Sequence, residues 1–182
     1  MKKINLILLS SFFLALIISI FISLPLFLIF LKISLGAVVY TLIFRKIDVN
    51  QDYLAIVYTA LWVHLLGLLY FYEALPFYDK ILHFVVPFFI TLIVYDYFSR
   101  NLKIHKPAIF LSVVGILALF EIYEFFLDFA FGAKSQGVFS SSGYQIIDPL
   151  LDTMADLLLG ALGSLIFLLS IQKKSVIAKS KK

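Results

Sequence analysis

Six runs of apolar residues, each ended by charged or turn-forming positions, set the frame of this chain. They fall at about residues 4–23, 26–44, 53–73, 81–98, 107–130 and 149–171. Each is close to the roughly 20 residues a helix needs to cross a hydrocarbon core. The punctuation agrees with helices. Lys106-Pro107 and Asp148-Pro149 put proline in the first turn of the fifth and sixth runs, where its missing N–H costs nothing. Gly132 supplies a C-terminal stop for the fifth run. Ser23-Leu24-Pro25 reads as a tight turn that divides residues 4–31 from being one long helix.

Composition makes the bilayer the solvent. Of 182 residues 63% are hydrophobic and 14% charged, with a mean hydropathy of +1.06. A soluble domain of this size cannot bury that much apolar surface. The prediction is an all-α membrane protein with six transmembrane helices. It forms a single transmembrane domain over residues 1–172, with a basic cytoplasmic tail at 173–182. Met1-Lys2-Lys3 and the apolar stretch after it run too long for a signal-peptide h-region, and no A-x-A-like site follows, so they read as a retained signal anchor. The absence of cysteine removes disulfides, thiolate metal sites and thiol nucleophiles.

Charge then orients the chain. The net charge of +4 comes from short clusters between apolar runs, which is the pattern of topology determinants and not of a nucleic-acid surface. With the N-terminus inside, one face carries Lys2, Lys3, Arg45, Lys46, Arg100, Lys103, Lys106 and the tail from Lys173 to Lys182. The other carries only Lys80 and Lys134. Fusing the first two runs would scatter these clusters over both faces. The expectation is therefore a multi-pass protein of the cell (inner) membrane with both termini cytoplasmic.

The acidic residues break the other way. Glu73, Asp79, Glu121, Glu124, Asp128, Asp148, Asp152 and Asp156 all fall at or within the outer half. At about 1.5 Å per residue, His83, Glu124 and Asp152 should lie roughly 5 Å below the outer boundary, and Glu121 and Asp156 about 10 Å below it. Asp79/His83 and Asp152/Asp156 are i,i+4 pairs and Glu121/Glu124 an i,i+3 pair, so each pair shares one helix face. Antiparallel neighbours would bring the fourth, fifth and sixth runs to one level. The Asp152–Asp156 stripe continues through Gly160 and Ser164, with Ala161 and Gly163 beside it, and small residues there let another helix approach closely.

An ionised carboxylate in hydrocarbon costs several kcal/mol, about 2.5–3.5 on insertion scales. The sequence positions no lysine or arginine to reach all of these groups. Either some hold a proton, or a metal ion binds them. Pro87 cannot bond the carbonyl of His83, and that freed oxygen is a further candidate ligand.

Other polar positions have plainer readings. Asp148 before Pro149 is an N-cap, and Asp79 serves equally well as a cap or as part of a site. Glu73 is interfacial and Asp128 shallow enough to be hydrated. His64, near the middle of the third run, reads as a packing histidine, and Lys32 has no assigned role. Tyr53, Tyr70, Tyr72, Tyr78, Tyr95 and Tyr97 flank run ends as an interfacial belt. The loop from Phe131 to Ile147 is too apolar for a solvated linker and is expected to fold back over the outer mouth.

The order Tyr78-Asp79-Lys80-x-x-His83-Phe84, Glu121-Ile122-Tyr123-Glu124-Phe125 and Asp152-Thr153-Met154-x-Asp156-Leu157, with Gly160-Ala161-x-Gly163, resembles a group of small uncharacterised prokaryotic membrane proteins, the YjdF-like group. It is more distantly similar to VanZ-like proteins, which share an Asp-Lys-x-x-His opening. The resemblance covers about residues 53–168. Relatives often carry a glutamine before the Asp-Thr-Met motif, which Gln136 matches. Glu124 stands where VanZ-like proteins usually have glutamine, and the arginine that follows there is missing. Glycopeptide resistance is therefore not implied, and the group brings no settled biochemistry.

Three functions compete. The first is a membrane-embedded hydrolase or transferase acting on a lipid-like substrate. Its divalent ion (Mg²⁺, Mn²⁺, Fe²⁺ or Zn²⁺) would be held by Asp79, His83, Glu121, Glu124, Asp152 and Asp156, with Glu121 and Asp156 as catalytic candidates. A di-iron site is disfavoured because it needs two Glu-x-x-His motifs. The second is a proton- or cation-coupled carrier, for which acids confined to one half leave no complete pathway. The third is a non-catalytic membrane or assembly protein whose polar cluster fixes helix packing. The partners implied are the lipid bilayer and a lipid-like small molecule, with no nucleic acid. Oligomeric state is not legible.

Overall fold

The computed structural model describes residues 3–47, 49–75, 77–102, 104–132, 136–139 and 145–180. Among them are six helices long and apolar enough to cross a membrane, as the hydropathy pattern predicts. The chain divides into two compact units, residues 1–71 and 72–182.

The first unit contains α1 (Lys3–Ile20), α2 (Leu24–Lys46) and α3 (Tyr53–Leu66). The break between α1 and α2 falls where the sequence places it. Ser23 is an extended N-cap whose hydroxyl accepts from the Leu26 amide at 3.3 Å, and proline occupies the first turn. Among hydrocarbon-soluble helices packing and polar contacts must supply cohesion, because lipid is as apolar as leucine. Phe12, fully buried, stacks on Trp62 with ring centroids 4.8 Å apart and meets Tyr58 edge-on. Tyr58 and Thr41 share a 2.6 Å hydrogen bond between α3 and α2. Trp62 donates to Ser11 at 3.0 Å, and Asn5 donates to the Gln51 carbonyl at 2.6 Å. The third run is not uniformly α-helical. At Gly67 it widens into a π-helix, Gly67–Phe71, where the Gly67 amide meets both the His64 and Val63 carbonyls. His64 is half-buried within α3, and Lys32 is exposed on α2.

The second unit begins with a helical turn, Tyr72–Ala74. Three helices follow: α4 (Tyr78–Asn101), α5 (Lys106–Phe131) and α6 (Pro149–Ser180). The basic segment that starts at residue 173 continues α6 as far as Ser180, and residues 181–182 lie outside the described residues. Helix α5 starts after His105 with proline in its first turn and ends at Gly132, which is left-handed at φ 62°. Asp148 caps α6, its carboxylate accepting from the Leu150 amide at 2.9 Å. Between α5 and α6 lies a short antiparallel hairpin, β1 (Val138–Phe139) with β2 (Gln145–Ile147), that the all-helical expectation did not include. The remainder of that loop, residues 133–135 and 140–144, lies outside the described residues.

Helices α4 and α6 run parallel in close contact, and the glycines explain why. A Cβ on Gly160 would stand 3.3 Å from both the His83 carbonyl oxygen and Pro87 Cγ, and one on Gly163 would run into the Phe84 carbonyl. The small-residue stripe therefore serves as predicted. The His83 oxygen freed by Pro87 packs against Gly160. Farther along, Ile109, Phe167 and Leu168 form a buried core, with Phe88 meeting Phe167 edge-on at 5.2 Å. Large apolar side chains such as Leu158 and Phe129, 72% and 82% exposed, cover the outside. In water that surface would aggregate, whereas in lipid it is the natural one.

Candidate functional site

The start of α4, the end of α5 and the start of α6 meet at one end of the second unit, and each brings its acidic face there. Glu121, Asp152 and Asp156 are 6%, 4% and 2% exposed. Asp79, His83 and Glu124 are half-buried. The helical spacing does this work: residues four apart on α4 and on α6 aim into the same interior, and the glycines hold those two helices close enough for them to meet.

His83 stands among the acids. Its Nε2 lies 3.5 Å from Asp79 Oδ1, and its Nδ1 lies 3.8 Å from Glu121 Oε1 and 3.9 Å from Asp156 Oδ1. Asp79, His83 and Asp156 each offer one ligand atom, and these lie within 4.8 Å of one another. Ligands at about 2.0–2.2 Å from one ion stand roughly 3–4 Å apart, so the group needs only a small contraction to hold a cation. An imidazole uses one nitrogen for the ion and leaves the other to a carboxylate that orients it. His83 has a carboxylate on both sides.

Among the described residues no cation reaches all of the deep acids, as expected, but the further expectation that the deepest have no lysine nearby is corrected, because Lys80 reaches Asp152 and Asp156. Lys80 Nζ donates to both carboxylate oxygens of Asp156 at 2.7 Å and to Asp152, and lies 3.3 Å from Asp79 Oδ2. Counted as a topology residue in the sequence, Lys80 is the centre of the network. Its position in the first turn of α4, next to Asp79 and three before His83, was the available signal. A four-carbon stem there can turn inward as readily as it snorkels outward. One ammonium still cannot balance Asp79, Glu121, Glu124, Asp152 and Asp156 together.

Glu124 stands near this network. Its charged neighbours are Glu121, Asp79, Asp156 and Asp152, yet among the described residues it makes none of the network's hydrogen bonds. Asp79 sits inside the first turn of α4, and the cap position belongs to Phe77, which removes the capping reading.

The loop after α5 closes on the cluster, as far as it is described. Gln136 donates from its side chain to Thr153 Oγ1 at 2.9 Å and to the Glu121 carbonyl at 3.3 Å. Its amide donates to Asp128 Oδ2 at 2.9 Å, so Asp128 anchors the loop. The Gly137 amide donates to Asp152 Oδ2 at 2.7 Å, from a backbone with φ 84° that suits glycine. Tyr72, read as an interfacial belt residue, also stands by the acids. Burial, then the charges of Asp79, Tyr78, Glu124 and Asp156, push its phenol well above the ordinary tyrosine value. Nothing in its sequence surroundings distinguished it from the other tyrosines.

No curated protein and no solved structure matches the chain. Residues 4–174 match the family described as "Predicted membrane protein (DUF2238)", a match that reaches all six helices and includes every residue of the cluster. The chain belongs to that family of uncharacterised membrane proteins.

Proposed function

We propose that this protein is a membrane-embedded metalloenzyme of the hydrolase or transferase class, acting on a lipid-like substrate at the outer level of the cell membrane. The observation that carries the reading is the convergence of Asp79, His83 and Asp156, with ligand atoms within 4.8 Å of one another. Glu121 lies beside His83 as a fourth donor, the third that is an oxygen. One imidazole with carboxylates suits Mg²⁺, Mn²⁺, Fe²⁺ or Zn²⁺. Such an ion supplies Lewis acidity toward a phosphoester or acyl oxygen. In this reading Asp156 holds the ion, and Glu121 is placed to take a proton from an attacking water or hydroxyl. Helix faces beside the cluster are apolar and exposed at Ile81, Ile122 and Leu151, which favours a substrate arriving from lipid. The basic clusters favour the orientation with both termini cytoplasmic.

A second reading has its own observation. Lys80 bonds to Asp152 and Asp156, as a cluster built only to pin α4 to α6 would require. Mn²⁺ titration of the purified protein separates the two. Saturable binding that is lost in Asp156→Asn and His83→Gln supports the metal site. Absence of binding for Mn²⁺, Zn²⁺ and Mg²⁺ leaves the structural cluster as the account.

A further inference from the structure

We infer that Lys80 is a built-in occupant of the cation site: its ammonium holds the carboxylates together when no metal is present, and a divalent ion must displace it to bind. The inference rests on the metal reading above and adds how that site is regulated.

The geometry is one of shared oxygens. Asp156 and Asp79, two members of the ligand group, are also partners of Lys80 Nζ, at 2.7 Å for each Asp156 oxygen and 3.3 Å for Asp79 Oδ2. The ammonium bonds both oxygens of Asp156, so an ion reaching either one meets it at close range. A metal ion at coordination distance from Asp156 would stand next to that ammonium, two like charges sharing one carboxylate in a poorly solvated place. The two occupants therefore exclude each other.

Both states are physically reasonable. Without a cation the facing acids of α4 and α6 would repel, and the glycine contact below them would have to resist that repulsion alone. Lys80 removes the problem from within the chain. Its side chain is only 12% exposed, but it begins in the first turn of α4, and its flexible stem gives it a short route to the interface. Displacement leaves Asp152 still satisfied in part, because the Gly137 amide bonds its other oxygen. An internal competitor is present at fixed effective concentration, so it lowers the apparent affinity for every ion by the same factor. An ion with double charge and several ligands overcomes that factor more readily than sodium or potassium, because its attraction to the carboxylates is larger.

The test uses the full-length protein in detergent, with Mn²⁺ as the probe. Lys80→Gln removes the competitor and should bind Mn²⁺ about tenfold more tightly or better. In the wild type, acylation of Lys80 by an amine-reactive ester, read by mass spectrometry, should rise as Mn²⁺ saturates the site. Equal or weaker Mn²⁺ binding by a folded Lys80→Gln protein overturns the inference. So does Lys80 acylation that stays constant through saturation of the wild type, a readout that does not depend on the variant folding. In both of those cases the metal site itself stands. If neither the wild type nor Lys80→Gln takes up Mn²⁺, it is the metal reading that falls.

Discussion

Lys80 Nζ and the Asp156 carboxylate meet at 2.7 Å through both oxygens, joining residues 76 apart in sequence across the α4–α6 interface. Removing one partner of a buried ion pair costs roughly 3–5 kcal/mol, because the other is left uncompensated. The two partners are not equivalent here. Lys80→Met abandons the carboxylates of Asp79, Asp152 and Asp156 together, whereas Asp156→Asn leaves Lys80 with Asp152 and Asp79. Thermal unfolding in detergent with chelator should therefore show Lys80→Met as the less stable variant. Two variants as stable as the wild type would mean that the ion pair contributes little.

Glu121 should behave in the opposite sense to Asp156. It is buried beside the other acids and is not among the hydrogen-bond acceptors of Lys80. Glu121→Gln removes repulsion without breaking that ion pair, and should raise the metal-free melting temperature while weakening Mn²⁺ binding. A fall in metal-free melting temperature would show that Glu121 is held by a compensating partner.

The response to metal should depend on pH. Protons compete with the ion for carboxylate and imidazole, so the stabilisation by Mn²⁺ should be larger at pH 8 than at pH 5. At a hundredfold excess over Kd it should reach about 2.7 kcal/mol. A melting-temperature series with and without chelator measures it, and a pH-independent shift would point to binding elsewhere.

The two glycines of α6 should differ. At Gly163 a Cβ runs into the Phe84 backbone, so Gly163→Ala must push α4 and α6 apart, at a cost of about 3 kcal/mol. At Gly160 its nearest neighbour is Leu117 Cδ1, the movable end of a side chain, at 2.5 Å. Gly160→Ala should cost nearer to 1 kcal/mol. A loss at Gly163 as small as that at Gly160 would mean that the helices separate easily.

The lack of native cysteine makes topology directly measurable. In intact cells a membrane-impermeant maleimide should label Gln145→Cys, while Asn50→Cys should react only after permeabilisation. Labelling of both from one side would remove the argument that the acids share a level in the membrane.

The six helices and several of their ends were determined locally. Apolar length, the Ser23-Leu24-Pro25 turn, Pro107, Pro149, Gly132 and the Asp148 cap act within a few residues, so the sequence alone specified those boundaries. Helical spacing also fixed which acids share a face, and Gly160 and Gly163 announced a close neighbour. What the sequence could not determine was direction across the interface. Lys80 looked like a solvent-facing topology charge because a long side chain in a first helical turn can point either way. Its choice depends on Asp152 and Asp156, which are more than seventy residues distant. Tyr72 and the Gln136 contacts are of the same kind. Each is a polar group whose partner is assigned only when α4, α5 and α6 come together, because burial makes an unpartnered polar group costly and so decides which of several possible pairings is made.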